Sequence, residues 1–328
     1  MLRKLLIGIL AALAFWFALF AFYPLSPPAP VFAYDLRSGS TLRSVAHDLS
    51  ARRLLWEPWT FTLVGRLLGR QTHIKAGSYE WDEPLSALSL LNKITRGDSV
   101  QNEAKLIEGM TFAQFRASLD ANEALNHLTQ GLAERDVLKL LGSPAKSAEG
   151  LFFPDTYFFN KGDSDLALMK RAFASMQRKL DSIWQRRAPG LPYDDAYQAL
   201  TMASIIEKET AKPDERPLVA AVFVNRLRLG MKLQTDPTVI YGMGEQYDGN
   251  IHKRDLLRDT PYNTYTRAGL PPSPIAMPGQ ASLEAAVHPA DSNALYFVAR
   301  GDGSHAFSEN LNEHNQAVFK YQIMRHTP

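Results

Sequence analysis

The chain opens on an apolar run. Leu5 to Tyr23 follows Arg3 and Lys4 and meets no charge until Asp35. At ~1.5 Å per residue a helix of that length nearly crosses a ~30 Å hydrocarbon layer, so residues 1–23 are predicted to be a cytoplasmic N-terminus and a membrane anchor. The length of the run and the lack of an Ala-x-Ala site favour an uncleaved anchor over a signal peptide. Everything from Pro24 onward is then expected outside the cytoplasm. Pro24 to Pro30 reads as a stiff extended linker, because proline fixes φ and disfavours helix in the residue before it.

Two later segments match at an offset of 70 residues: "SGSTLRSVAHDL", Ser38 to Leu49, and "EGMTFAQFRASL", Glu108 to Leu119. Each sets Gly and then Thr before apolar residues at helical spacing, Leu42, Val45 and Leu49 in one and Phe112, Phe115 and Leu119 in the other. The Thr suits a helix N-cap, and the candidate strands "VFAYDL" and "NEAKLI" precede the two copies. "AGSYEWDEPLSALSLLNKI", Ala76 to Ile94, offers a third. Strand-helix-helix-strand units of this kind occur in LysM carbohydrate-binding modules. The expected division is a LysM-like module over residues 31–100, a second LysM-like or connecting module over 101–150, and a larger domain over 151–328.

Helical patterns over Glu134 to Leu141, Asp165 to Arg187, Asp194 to Thr210 and Leu218 to Leu229 alternate with stretches rich in Asn, Gln, Tyr and Pro. The fold class is therefore α+β: an apolar N-terminal helix, small α+β modules and a helix-rich C-terminal domain with long loops. Ala196 to Ile206 is apolar on most faces and ends in "EKE", so Glu207 and Glu209 enter where water should be scarce. Burial disfavours the charged carboxylate and raises its pKa, as a general acid at neutral pH requires. At 100° per residue the two lie ~70° and ~90° from the apolar face, too close to choose between them.

Composition narrows the chemistry. The 36 Lys and Arg balance 34 Asp and Glu, which gives no footprint for nucleic acid. The absence of cysteine excludes disulfides, thiolate metal sites and cysteine nucleophiles. His305 and His314 have no metal-ligand spacing, and neither metal nor cofactor is expected. Gln234, Asp236 and Tyr241 lie on a segment expected to be turn-rich, and Tyr262, Asn263 and Tyr265 on a proline-rich loop. Amides can read sugar hydroxyls and N-acetyl groups, and tyrosine rings stack on pyranoses, so this set suits a glycan cleft.

"ASIIEKET", "VFVNRLRLGMKLQTDPTVIYG", "PYNTYTRAGLPPSPIAMPG" and "LYFVARGDGSHAFSENLNEHNQAV", with "EGLFFPDTY" upstream, resemble the endolytic murein transglycosylases of the YceG-like family. The resemblance extends over nearly all of the chain after the anchor. It implies a lyase that cuts the β-1,4 bond from N-acetylmuramic acid to N-acetylglucosamine without water, with Glu207 as general acid and base, leaving 1,6-anhydro ends. It also implies nascent peptidoglycan strands as substrate, wall-synthesis enzymes as partners, and an inner-membrane location with a periplasmic catalytic domain. Glu149, Asn225, Gln234, Asp236, Tyr241, Tyr262, Asn263 and Tyr265 are the expected substrate contacts. Glu149, Asp236 and Glu245 are candidates for a second carboxylate, and an arginine such as Arg226 is a structural partner offered for Glu149. Two other functions stay open: a two-carboxylate glycoside hydrolase and a non-catalytic wall-binding scaffold.

Overall fold

The computed structural model describes residues 1–25, 32–37, 39–55, 57–81 and 83–324. The chain folds into two compact units. The first is Met1–Glu103 with Glu123–Asn126 and Phe158–Asp163; the second is Ala104–Asn122, His127–Tyr157 and Ser164–Pro328.

In the first unit α1 (Leu2–Phe22) is the expected apolar helix, with the length and composition of a membrane span. Most of the expected linker, along with Val31, lies outside the described residues. Pro24 and Leu25 instead form a short strand, β1 (Pro24–Leu25). The chain continues through β2 (Phe32–Leu36), α2 (Leu42–Ala51), α3 (Pro58–Leu67) and β3 (Gly77–Trp81), a strand-helix-helix-strand unit closed by antiparallel pairing from Phe32↔Trp81 to Leu36↔Gly77. β3 thus closes the first unit of the repeat and does not open a third. β4 (Leu85–Ser86) pairs with β1, and α4 (Ala87–Arg96) supplies Leu90, Leu91 and Ile94 to a core shared with Phe20, Leu25, Tyr34, Leu49, Phe61 and Tyr79.

The repeat appears again in β5 (Asn102–Leu106), α5 (Phe112–Asp120), α6 (Glu134–Leu141) and β6 (Asp155–Phe159), with β5 beside β6. Thr41 and Thr111 each accept the N3 backbone N–H of the helix they start, as the Gly-x-Thr pattern predicts. The second copy is not a separate module over 101–150. Phe112 stacks on Phe152 at 5.4 Å and Phe152 meets Phe173 at 6.3 Å, so the apolar face of α5 packs into the second unit.

That unit continues with α7 (Asp165–Gln185), α8 (Ala196–Glu209), α9 (Arg216–Arg228), α10 (Asp236–Met243), α11 (Lys253–Leu257), α12 (Gln280–Val287), the hairpin β7 (Tyr296–Ala299) and β8 (His305–Ser308), and α13 (Leu311–Val318). α8 is the central helix, packed by α7, α9, α10 and α12. Leu200, Met202, Ala203, Ile205 and Ile206 are wholly buried there. The segment expected to be turn-rich contains α10, because Pro237 at the first turn costs no hydrogen bond and "TVIYGM" then continues the helix.

Candidate active site

Two residues at the end of α8 project into different surroundings, since a helix turns about 200° over that interval. Glu207 has only 6% of its side chain exposed and is held from both sides. Its Oε1 pairs with Arg216 Nη2 at 3.2 Å and its Oε2 accepts the Gly279 N–H at 3.0 Å. The Glu108 carboxyl lies close over Gly279.

Glu209 faces a cavity of about 510 Å³ whose walls also carry Gln234, Asp236, Tyr265, Tyr296 and His305. The Thr235 hydroxyl donates to its Oε1. It is half-buried at the cavity wall, and the loss of water around it pushes the carboxyl up to about 7. Thr235, His305 and Arg226 oppose the rise, while Asp236 adds to it. An acid that holds its proton near neutral pH beside an open cavity can donate it to a ligand.

The neighbours are themselves fixed. Tyr265 Oη donates to Asp236 Oδ1 at 2.6 Å. Burial alone would raise the Glu215 carboxyl, but hydrogen bonds from the His305 ring at 2.7 Å and backbone N–H at 3.0 Å hold it below its ordinary value. Arg226 is buried under the Tyr296 ring, 5.1 Å from its centroid, and donates to the Leu233 and Leu295 carbonyls. Gln234, at φ 52°, is one of two non-glycine residues with positive φ among those described. Such strain is stored most often at ligand sites.

The cavity thus gathers Gln234, Asp236 and Tyr265 of the expected substrate set, and the structure separates the others from it. Glu149 is buried elsewhere, accepting the Phe112 N–H at 3.0 and 3.1 Å and the Tyr241 hydroxyl at 3.1 Å. Burial pushes it to about 7 against those hydrogen bonds. Its partners are this helix end and Tyr241, and Arg226 is instead tied to carbonyls. Tyr262 stacks edge-on against Tyr241 at 4.8 Å and bonds Ser273, so both rings belong to the Glu149 cluster. Two of the expected contacts are structural clamps. Asn225 Nδ2 donates to the carbonyls of Ser292 and Ala294, and Asn263, 1% exposed, donates to those of Asp255, Leu256 and Arg258. Glu245 sits exposed in a short 3₁₀ turn after α10. Tyr296 and Phe297 had no sequence signal beyond apolar alternation in a strand.

The YceG-like family model matches residues 34–320. The chain belongs to the YceG-like family. An endolytic murein transglycosylase of Bacillus subtilis strain 168 is 31% identical to this YceG-like chain over 310 residues, covering 88% of it and 84% of the relative. One of Streptococcus pneumoniae is 27% identical over 318 residues, covering 86% of this chain and 57% of that longer protein. The crystal structure of a YceG-like protein from Listeria monocytogenes matches with a TM-score of 0.54 at 29% identity, over 87% of this chain and 98% of that one.

Proposed function

We propose that this chain is a membrane-anchored lytic transglycosylase of peptidoglycan whose general acid and base is a carboxyl at the end of α8. The names of the B. subtilis and S. pneumoniae relatives support the substrate and the reaction class. The observation that carries the residue assignment is that Glu209, raised to about 7, faces the 510 Å³ cavity. That volume lies within the ~300–1,000 Å³ of ordinary ligand clefts. In this reading Glu209 protonates the glycosidic oxygen as its bond to the muramoyl anomeric carbon breaks. The carboxylate then takes the proton of the muramoyl 6-hydroxyl, whose oxygen bonds to that carbon and closes the 1,6-anhydro ring. No water is consumed. Asp236, fixed by Tyr265, is the carboxyl available to face the positive charge developing on the sugar.

The second reading keeps the assignment implied by resemblance, with Glu207 as the acid and base. Its favouring observation is its place at the end of the same buried helix, between the Gly109 and Gly279 loops. Its ion pair with Arg216 counts against it, because a donor already opposes one oxygen and a backbone N–H the other.

In the N-terminal unit a groove of about 730 Å³ lined by Asp35, Arg37, Arg52 and Lys161 offers charged groups to a polar chain. With the strand-helix-helix-strand order it supports a LysM-like, glycan-holding role. With α1 as an anchor and Arg3 and Lys4 before it, the rest of the chain in this reading lies on the outward side of the inner membrane, with wall-synthesis enzymes as partners by family resemblance. Digestion of purified murein with the full-length protein, followed by product masses, tests the function. Ends of 1,6-anhydromuramic acid support it; reducing ends, heavier by one water, favour the two-carboxylate hydrolase; unshortened murein favours a scaffold.

A further inference from the structure

The first unit carries an apolar feature that its core does not use. Along α3, Thr60, Phe61, Val64 and Gly65 face inward, while Trp59, Leu63 and Leu67, each four residues from the last, are 52%, 42% and 78% exposed. Three large apolar side chains on one helical stripe are more than the scattered exposure normal for a soluble surface. Arg66 is exposed beside them at the end of the helix.

What covers the stripe follows from α1. Every residue from Leu2 to Phe15 is exposed, and burial begins at Trp16. Those fourteen residues rise only ~21 Å, well short of a ~30 Å hydrocarbon layer. To span, α1 must keep Trp16 to Phe22 inside the membrane or at its edge as well. In that stretch protein lies against it: Trp16 meets Trp59 at 4.4 Å and Phe20 meets Phe61 at 6.3 Å between ring centroids. Phe20 and Ala21 are buried. α3 therefore goes to the depth that α1 sets.

We infer that α3 is a membrane foot: its Trp59–Leu63–Leu67 stripe lies in the leaflet from which α1 emerges, with Arg66 toward the lipid phosphates. The inference rests on α1 being an anchor. Its consequence is that the first unit is seated directly on the bilayer and not held off it on a tether.

The native chain has no cysteine, so single labels are clean. Leu63→Cys, Leu67→Cys, Leu10→Cys and Arg43→Cys variants of the full chain, each carrying a bimane, are reconstituted in phosphatidylethanolamine–phosphatidylglycerol vesicles with or without nitroxide lipids. Labels at 63 and 67 are expected to shift to the blue and lose emission to a nitroxide near the headgroup, the label at 10 to one deep in the chain, and the label at 43, on the exposed side of α2, to neither. Quenching at 10 without quenching at 63 and 67 overturns the foot and leaves the anchor standing. A label at 63 or 67 shielded from water but untouched by lipid nitroxides also overturns it, since protein then covers the stripe. No quenching at 10 removes anchor and foot together.

Discussion

Glu207 and Glu209 bracket one lysine, and their partners set opposite expectations for them. Glu207 neutralises Arg216 where both side chains are about nine-tenths buried, so Glu207→Gln should cost ~3–5 kcal/mol of stability, read by denaturant melts, with a smaller loss of activity. Glu209→Gln removes a proton donor from a cavity wall while nearly preserving shape. Its kcat on murein should fall by a factor on the order of 10² or more with little change in melting. A folded, inactive Glu207→Gln beside an active Glu209→Gln would transfer the role to Glu207. Acidity gives an independent handle. Glu149 and Glu209 rise from an ordinary 4.5 to about 7 on folding, so the folded state binds more protons than the unfolded one between those values. The stability they contribute is complete below about 4.5 and is lost as pH rises through about 7. Melting temperature should fall over that interval, and the Glu149→Gln, Glu209→Gln double variant should flatten the fall.

At the scale of elements, what the sequence made legible was local. The caps at Thr41 and Thr111, the strands before them and the buried run of α8 are each written in a few neighbouring residues whose periodicity or side-chain reach fixes the outcome. Long-range pairing was hidden. Nothing in "EGLFFPDTY" shows that Glu149 will accept the N–H of a helix 37 residues earlier, or that Phe152 will stack on Phe112 and draw the second copy of the repeat into the second unit. The polar loops illustrate the same limit, because an Asn that reads a sugar and an Asn that ties down a loop look alike in sequence. Asn263 is the second kind, a buried amide whose Nδ2 donates to three carbonyls while its Oδ1 accepts the Tyr265 N–H at 2.8 Å. Asn263→Ala should therefore cost ~1–3 kcal/mol in thermal denaturation. Because the same loop carries Tyr265 to the cavity, KM for glycan should rise with it; an unchanged KM would detach that loop from substrate.

At the scale of the whole molecule, α1 and the rest of the first unit are one packed body. Cutting the chain before Tyr34 to make a soluble enzyme removes Phe20 and Leu25 from the core that holds Leu49, Phe61 and Leu90. It also removes β1 from beside β4 and the Phe32 ring from Trp81, 5.0 Å away. Lost apolar contacts of this size cost on the order of 3 kcal/mol or more in total. The loss falls on the first unit, since Phe20, Leu25 and Phe32 all pack within it. Amide exchange in α2 and α4 should therefore quicken in the Tyr34–Pro328 fragment relative to the full chain in micelles, while α8 keeps its protection. Short glycan supplied at high concentration should still be cut to anhydro ends by that fragment, because Glu209, Asp236, Tyr265 and His305 all lie in the second unit. Equal exchange rates in α2 and α4 with and without residues 1–33 would show that α1 is an appendage after all. Loss of cleavage from a fragment whose α8 stays protected would mean that the first unit supplies more than a hold on the strand.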